Sequence, residues 1–278
     1  MTTNREDLNG IVVTWDMSGP EVPLSEIHSA LSKAGIQAET NLRKTSVLGR
    51  AIKHMRTAQD HTILVDKLRG RNSNPKFQLT DKHTDDACVT YTEGLNVELD
   101  LEEGKALCNN ERMQEEINDQ MAYADSHRTA QDISNMVKRL FQSNADLYAI
   151  NPRKGVAYFV PKEHMDFAEK IQTFLQAIGG NLWSFPVPRG DEAGDKSVKD
   201  AIDQGLNALL SDLEKSVETW GEDTGARAIK TANERWAMAA AKIEAYTVYL
   251  QDNHAVLEER LNAARHDMQA KIVALGKE

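Results

Sequence analysis

The chain has 278 residues, 33 of them basic and 43 acidic, for a formal net charge of −10. Apolar residues make up 40% and aromatics 6%, with 16 glycines and 7 prolines, which excludes collagen-like, mucin-like and broadly disordered chains. A mean hydropathy of −0.54, with no apolar run approaching the ~18 residues a bilayer requires, excludes a membrane-spanning helix.

Met1–Asp7 is polar and carries acids, unlike a signal peptide. The two cysteines, Cys88 and Cys108, cannot staple a chain of this size, and a reducing, cytoplasmic setting is expected. Charge is uneven along the chain: residues 1–39 carry −4, 40–83 carry +7, 84–145 carry −8, 146–190 carry +1 and 191–278 carry −6. The 40–83 segment holds ten basic and three acidic residues inside an acidic protein. It is a candidate anion-binding surface, and equally a face that pairs with the acidic segment after it.

The first predicted element is a β-branched strand, Gly10–Asp16, ending at the turn Ser18-Gly19-Pro20. Ser25 then caps an amphipathic helix through Ile27, Ala30, Leu31 and Ala34 that Gly35 closes. A second helix starts at Thr45 or Ser46 and buries Val47, Leu48, Ala51, Ile52 and Met55. Four short β-like runs follow, over 62–68, 76–80, 87–92 and 95–101, with Glu93-Gly94 a tight hairpin turn between the last two. From about Asn110 the apolar period lengthens to that of a helix, running to 142, with Asp125-Ser126 marking either a bend or a break into two helices. Leu147–Asn151 and Val156–Val160 form a hairpin around Pro152-Arg153-Lys154-Gly155. Pro161 ends it, a helix spans 163–178, and Leu182–Val187 reads as an edge strand because Pro186 cannot donate to a central ladder.

Residues 189–196 suit a linker, and everything after them is helical. Val198, Ile202, Leu206, Leu209, Leu213, Val217 and Trp220 form one stripe, closed by Gly221. A single helix of about 50 residues, roughly 75 Å long, is expected from Gly225 onward. Its heptad seam includes Ile229, Trp236, Ile243, Leu250, Asn253, Leu257, Leu261 and Met268. The helix over 197–220 covers only about half of that length, so the seam from Leu250 onward would leave an apolar stripe of several hundred Å². A second copy of the chain, or a helical partner, is the expected cover, with packing on helix 110–142 the alternative.

The chemistry-bearing candidates centre on the basic segment. Arg43 and Lys44 precede the helix, Arg50, Lys53 and Arg56 ride on it with His54, and Lys67, Arg69 and Arg71 follow on a strand end and a polar loop. Arg50, Lys53 and His54 are placed opposite the apolar face. No aromatic lies between 16 and 76, so the segment carries no stacking platform, and no helix-turn-helix, zinc-finger or ribonucleoprotein motif accompanies it. Asp81, His83, Asp85 and Asp86 crowd six residues and could grip a divalent cation, which makes a metal-dependent nuclease or hydrolase the rival reading. Polar turn chemistry between two strands explains the same cluster. No phosphate loop, nucleophile elbow or HExxH pair occurs, and the cysteines lack CxxC spacing. Neither catalytic residues, nor a resident metal, nor a cofactor is assigned.

Two segments, Gly10–Gly35 (GIVVTWDMSGPEVPLSEIHSALSKAG) and Lys154–Pro161 (KGVAYFVP), resemble strand–helix and hairpin segments of an uncharacterised family of proteins carried by bacteria and their phages. The resemblance implies a bacterial host cell or a phage particle as the setting and lends no catalytic residue.

The expected fold is α+β: a small mixed sheet or sheets with packed helices, then a long C-terminal antiparallel helical hairpin of coiled-coil type. The expected domains are 1–190, with sub-layers 1–105 and 145–190 joined by helix 110–142, and 191–278. The expected function is non-enzymatic: a self-associating or partner-binding protein in a structural, scaffolding or host-interaction role, whose basic surface over 43–82 contacts nucleic acid.

Overall fold

The computed structural model describes residues 5–19, 21–58, 62–68, 75–84, 89–92, 94, 96–151, 157–250 and 253–276. Its elements in chain order begin with β1 (Leu8–Met17), β2 (Glu21–Pro23), α1 (Leu24–Ala34), α2 (Lys44–Ala58), β3 (Thr62–Leu68), β4 (Lys76–Thr84) and β5 (Val89–Thr92). They continue with β6 (Asn96–Asp100), β7 (Lys105–Cys108), α3 (Glu111–Ser126), β8 (His127–Thr129), α4 (Ala130–Asn144), β9 (Tyr148–Ala149) and β10 (Tyr158–Pro161). The last are α5 (Met165–Ala177), β11 (Gly180–Pro188), α6 (Glu192–Glu218), α7 (Ala226–Ala245), α8 (Thr247–Leu250) and α9 (Asn253–Ala274). The chain is thus mixed α and β with small antiparallel sheets. It divides into two compact units: Met1–Asp16 with Lys138–Gln172 and Asn181–Glu278, and Met17–Val137 with Thr173–Gly180. This boundary falls elsewhere than the 190/191 division read from composition, because each unit is assembled from separated stretches of chain.

In the 17–137 unit, α2 and α3 pack on a sheet of order β3-β4-β6-β7. Val47, Leu48, Ala51 and Ile52 of α2 meet Ile117, Met121 and Ala124 of α3 over Phe77, Leu79, Val97 and Leu99. These are the helix-period and strand-period positions expected for one apolar core. Gly35 closes α1 in the left-handed region (φ 64°) as expected, but Pro23 takes the N-cap position, and Ser25 lies inside the first turn. Glu93, of the expected Glu93-Gly94 turn, lies outside the described residues, and the strands on either side each pair with β4: β5 with Asp81–Thr84 and β6 with Lys76–Gln78, in succession along one edge of it. β6 forms a hairpin with β7, an element the sequence pattern does not announce. Asp100 Oδ1 accepts from the N–H groups of Glu102 (2.8 Å) and Glu103 (3.0 Å), and Gly104 sits at φ 70°, which turns the chain back.

The helical run from 110 onward is two helices. Between them β8 pairs antiparallel with β2, Pro23 opposite His127 and Glu21 opposite Thr129. Thr129 and Asp132 then restart the helix as a reciprocal capping pair: Thr129 N–H donates to Asp132 Oδ2 (2.9 Å) and Asp132 N–H to Thr129 Oγ1 (3.3 Å).

In the other unit the sheet order is β11-β1-β10-β9, so the 145–190 strands are continuous with the first strand of the chain, and β11 is the edge strand expected. Gly10 lies opposite Pro161, and Val13 opposite Tyr158. The supposed linker 189–196 contains the first turn of α6, capped by Asp191, whose side chain accepts from Gly194 N–H at 2.8 Å.

The single long C-terminal helix is instead α7, α8 and α9. Tyr246 leaves helical geometry (φ −104°, ψ 16°), and the Thr247 hydroxyl bonds back to the carbonyls of Ile243 (3.3 Å) and Glu244 (2.7 Å). The chain then reverses. Asn253 Nδ2 donates to Asp203 Oδ1 (3.1 Å), Arg260 forks onto Glu214 (2.8 Å), and Lys271 Nζ donates to Val217 O (2.7 Å), so α9 runs alongside α6 in the same direction. Trp236 Nε1 of α7 donates to Leu261 O (3.1 Å), and Arg265 lies over the Trp236 ring. Three helices therefore share one apolar interior.

Candidate functional site

The 40–83 segment occupies α2 and the β3–β4 hairpin of one unit. Arg43 and Lys53 are exposed. Lys44 is turned onto its own chain: Nζ donates to the carbonyls of Leu101 (2.6 Å) and Glu102 (2.9 Å) in the β6–β7 turn. That offsets the poor placement of a cation in the first turn of a helix. Arg50 forms an ion pair with Asp132, with side chains only 23% and 14% exposed. It does not project with Lys53 and His54 as expected, because it stands at the border of the apolar stripe and reaches the start of α4. Lys76 pairs with Glu98 at 3.1 Å. The side chains of Arg56 and Lys67, and the whole of Arg69 and Arg71, lie outside the described residues.

Of these, the backbone of Lys67 is placed by the pairing of β3 with β4. Thr62 stands opposite Lys82 and Leu68 opposite Lys76, so the strands close at Leu68↔Lys76. Lys67 and Lys76 therefore lie at the same end of the paired strands.

Beneath α2 is a polar network that the sequence did not disclose. Arg128, in β8, is 1% exposed and has no carboxylate hydrogen-bonded to it among the described residues. Its Nε and Nη2 donate to Thr40 O (3.0 and 2.9 Å), and Nη1 donates to Asp125 O (2.8 Å) and His127 O (2.7 Å). Burial lowers its pKa, with Asp125 the main opposing charge. A guanidinium is still cationic there, and the carbonyl at Asp125 belongs to the negative end of α3. Asp132 is pushed up by burial and pulled down further by hydrogen bonds from Arg50 and Thr129, ending below the usual carboxylate value. Beside them, Glu21 lies 3.4 Å from His54 Nε2, and its hydrogen bond to Tyr123 raises that phenol's pKa. Tyr123 in turn stacks on His127 at 4.1 Å between centroids.

The rival metal site cannot be built from what is described. Asp85 and Asp86 lie outside the described residues, as do the side chains of Asp81 and His83. Among the described residues no group of three or more His, Cys, Asp or Glu is placed to hold a metal ion. The Cys108 thiol donates to Asn110 O at 3.2 Å.

The heptad seam faces inward. Ile243, Leu250, Leu257, Leu261 and Met268 are buried against α6 and within the three-helix cluster, while Ile229 and Trp236 are half-buried. Asn253 is exposed, starting α9. The uncovered stripe that called for a second copy is thus covered by the chain itself, since the break after α7 lets α9 fold back.

The same unit holds a second polar hub. The Asp146 carboxylate accepts from Lys242 and Tyr246 and lies 3.3 Å from His164 Nε2. Burial pushes Asp146 up, but His164, Lys242 and Tyr246 together hold it well below the usual range. These partners are up to 100 residues apart in sequence, so no local pattern announces them.

A family of unknown function, DUF6744, matches residues 9–275. The chain belongs to that family. No curated protein and no solved structure matches it. Membership of DUF6744 agrees with the resemblance to an uncharacterised family and brings no activity, ligand or residue role with it. No helix of the described residues is long and apolar enough to cross a membrane.

Proposed function

We infer that this DUF6744 protein is a non-enzymatic binding protein whose α2 and β3–β4 hairpin contact the phosphate backbone of nucleic acid. What supports the reading is the density of basic residues in the 40–83 segment, ten against three acids, of which Lys67 lies on a strand that follows directly on α2. Lys44, Arg50 and Lys76 are engaged by the chain's own 84–145 segment, so the contact surface is narrower than the sequence implied and centres on Arg43, just before α2, and on the Lys67–Arg71 stretch. Backbone contacts of this kind bind without reading bases, consistent with a segment lacking aromatic residues. A bacterial cytoplasm or a phage particle is the setting we attach to this role, on the resemblance alone. Any helical partner would meet the outer faces of α6, α7 and α9, because the apolar seam is already occupied.

The test is fluorescence anisotropy of labelled duplex DNA and of single-stranded RNA against salt, with wild type and Lys67→Glu/Arg69→Glu/Arg71→Glu. Each phosphate contact contributes about 0.9 to the slope of log K against log salt on duplex DNA. The triple variant should lose about 2 to 3 from that slope, along with at least tenfold in affinity at low salt. Equal slopes, or no binding by the wild type at 50 mM salt, would refute the reading.

A further inference from the structure

A groove of about 630 Å³ runs between α6 and α7, in the unit that holds the C-terminal helices. The two helices are antiparallel: Val217 and Ala232 sit in one apolar cluster, and Leu206 and Ile243 in another. The groove exists because α6 outruns the sheet. Val198, Ala201 and Ile202 are buried in one cluster with Tyr148 of β9 and Phe159 of β10. The same stripe continues at helical spacing through Gly205, Leu209, Asp212, Ser216 and Thr219, and these residues line the groove instead. From Gly205 to Thr219 the stripe extends roughly 21 Å along the helix axis.

Apolar side chains form the floor and charged ones the rim. Leu147 and Leu209 are half-buried, and Met238 is 44% exposed and belongs to neither of the two clusters. An unbranched thioether at such a position adapts its shape to an apolar side chain laid against it. On the rim, Lys215 of α6 and Arg235 of α7 are exposed, and neither side chain has an ion pair or hydrogen bond among the described residues. Lys242 is spent on Asp146, and Asp212 is the one acid of the lining. A smaller cleft of about 240 Å³ adjoins the groove, with Leu147 and Gly205 common to both. Its one charged residue is Lys138, set 5.7 Å over the Tyr158 ring. Three cations outside any ion pair among the described residues thus stand against one carboxylate, a balance complementary to an acidic partner.

Shape selects the class of partner. α9 occupies another side of α6, where Asn207 and Glu214 hold Arg260, so a trough between two antiparallel helices is left with the form that a fourth helix fills in a bundle. An amphipathic helix brings apolar anchors at i, i+3, i+4 and i+7 and carries carboxylates on its flanks. We propose that this groove docks an acidic amphipathic helix of a partner protein, its apolar stripe on Leu209 and Met238 and its carboxylates toward Lys138, Lys215 and Arg235. The groove lies in a different unit from α2 and β3–β4, and the proposal stands apart from the nucleic-acid reading.

Fluorescence anisotropy of the full chain with stapled helical peptides of about 15 residues, the length of the groove, tests the proposal. The probe carries leucines at i, i+4, i+7 and i+11 with glutamates on both flanks. One control has lysines for the glutamates, and another has serines for the leucines. The glutamate peptide should bind at micromolar concentration, about tenfold or more tighter than either control. Lys215→Glu/Arg235→Glu, at two exposed positions, should weaken it about tenfold or more, retain the thermal melt, and bind the lysine peptide better than wild type does. Met238→Asp should weaken it by a similar factor. The Met238 methyl resonance should shift when the glutamate peptide is added, while that of Met113, in the other unit, stays in place. Lys67→Glu/Arg69→Glu/Arg71→Glu should leave peptide affinity unchanged, which separates this surface from the nucleic-acid one. No saturable binding of the glutamate peptide, equal binding of the lysine peptide, or affinity untouched by Lys215→Glu/Arg235→Glu would each overturn it.

Discussion

Arg128→Met removes the one fully buried cation of the described residues and leaves its acceptors in place. Thr40 O loses two donors at once, at 3.0 and 2.9 Å, and Arg128 is their only source among the described residues. Leaving a buried carbonyl unsatisfied costs about 1–3 kcal/mol. Losing the positive charge at the carboxyl end of α3 adds about 0.3–2 kcal/mol. Methionine relieves the desolvation of the guanidinium, which offsets part of this. Thr40 remains buried, so the loss wins, and a net destabilisation of about 2–4 kcal/mol is expected. Arg128→Lys keeps the charge but replaces a planar fork by a point donor, so it should recover only about half. Urea unfolding followed by circular dichroism, with the slope m unchanged, measures both. A loss under about 1 kcal/mol for methionine, or full recovery by lysine, would show that the 38–40 loop finds other donors and that the fork is dispensable.

Other parts of the structure make equally direct predictions. Leu261→Ala should destabilise by about 2–5 kcal/mol while sedimentation still shows a single species of unchanged mass, since the residue packs inside the chain; a change of association state with little loss of stability would contradict the inward seam. Gly205→Ala places a methyl carbon 2.6 Å from Tyr148 Cδ1, and overpacking of about 1–3 kcal/mol outweighs the helix-propensity gain of about 1 kcal/mol; a more stable variant in thermal melts would refute this. Asp132 and Asp146 both have folded pKa values below their unfolded ones, so their contribution is complete above about pH 5 and is lost as pH falls through the unfolded value of about 3.9 and on toward the folded values. Asp132→Asn should flatten that acid limb of a stability–pH curve, and an unchanged limb would remove Asp132 as a cause.

The sequence by itself determined where most elements lie, because local rules act within a few residues: β-branched runs for β1 and β3, a 3.6 period for α2, α3 and α6, and Gly35 for the end of α1. It also determined that the C-terminal apolar residues are buried, since their spacing defines a stripe whatever covers it. Tertiary structure decided what covers it. The break near Tyr246 turns one long helix into two that can share an interior, and a period of 3 and 4 reads the same in either case. Tertiary structure likewise decided which charges are free. Arg50 and Arg128 look alike as surface arginines, yet one is paired 82 residues away with Asp132 and the other is buried against Thr40, 88 residues away. Electrostatic partners are chosen by distance in space, and space is set only when strands pair and helices pack. The net charge of −10 and the +7 segment within it are therefore properties of the sequence, but the part of that segment left to meet a phosphate is a property of the fold.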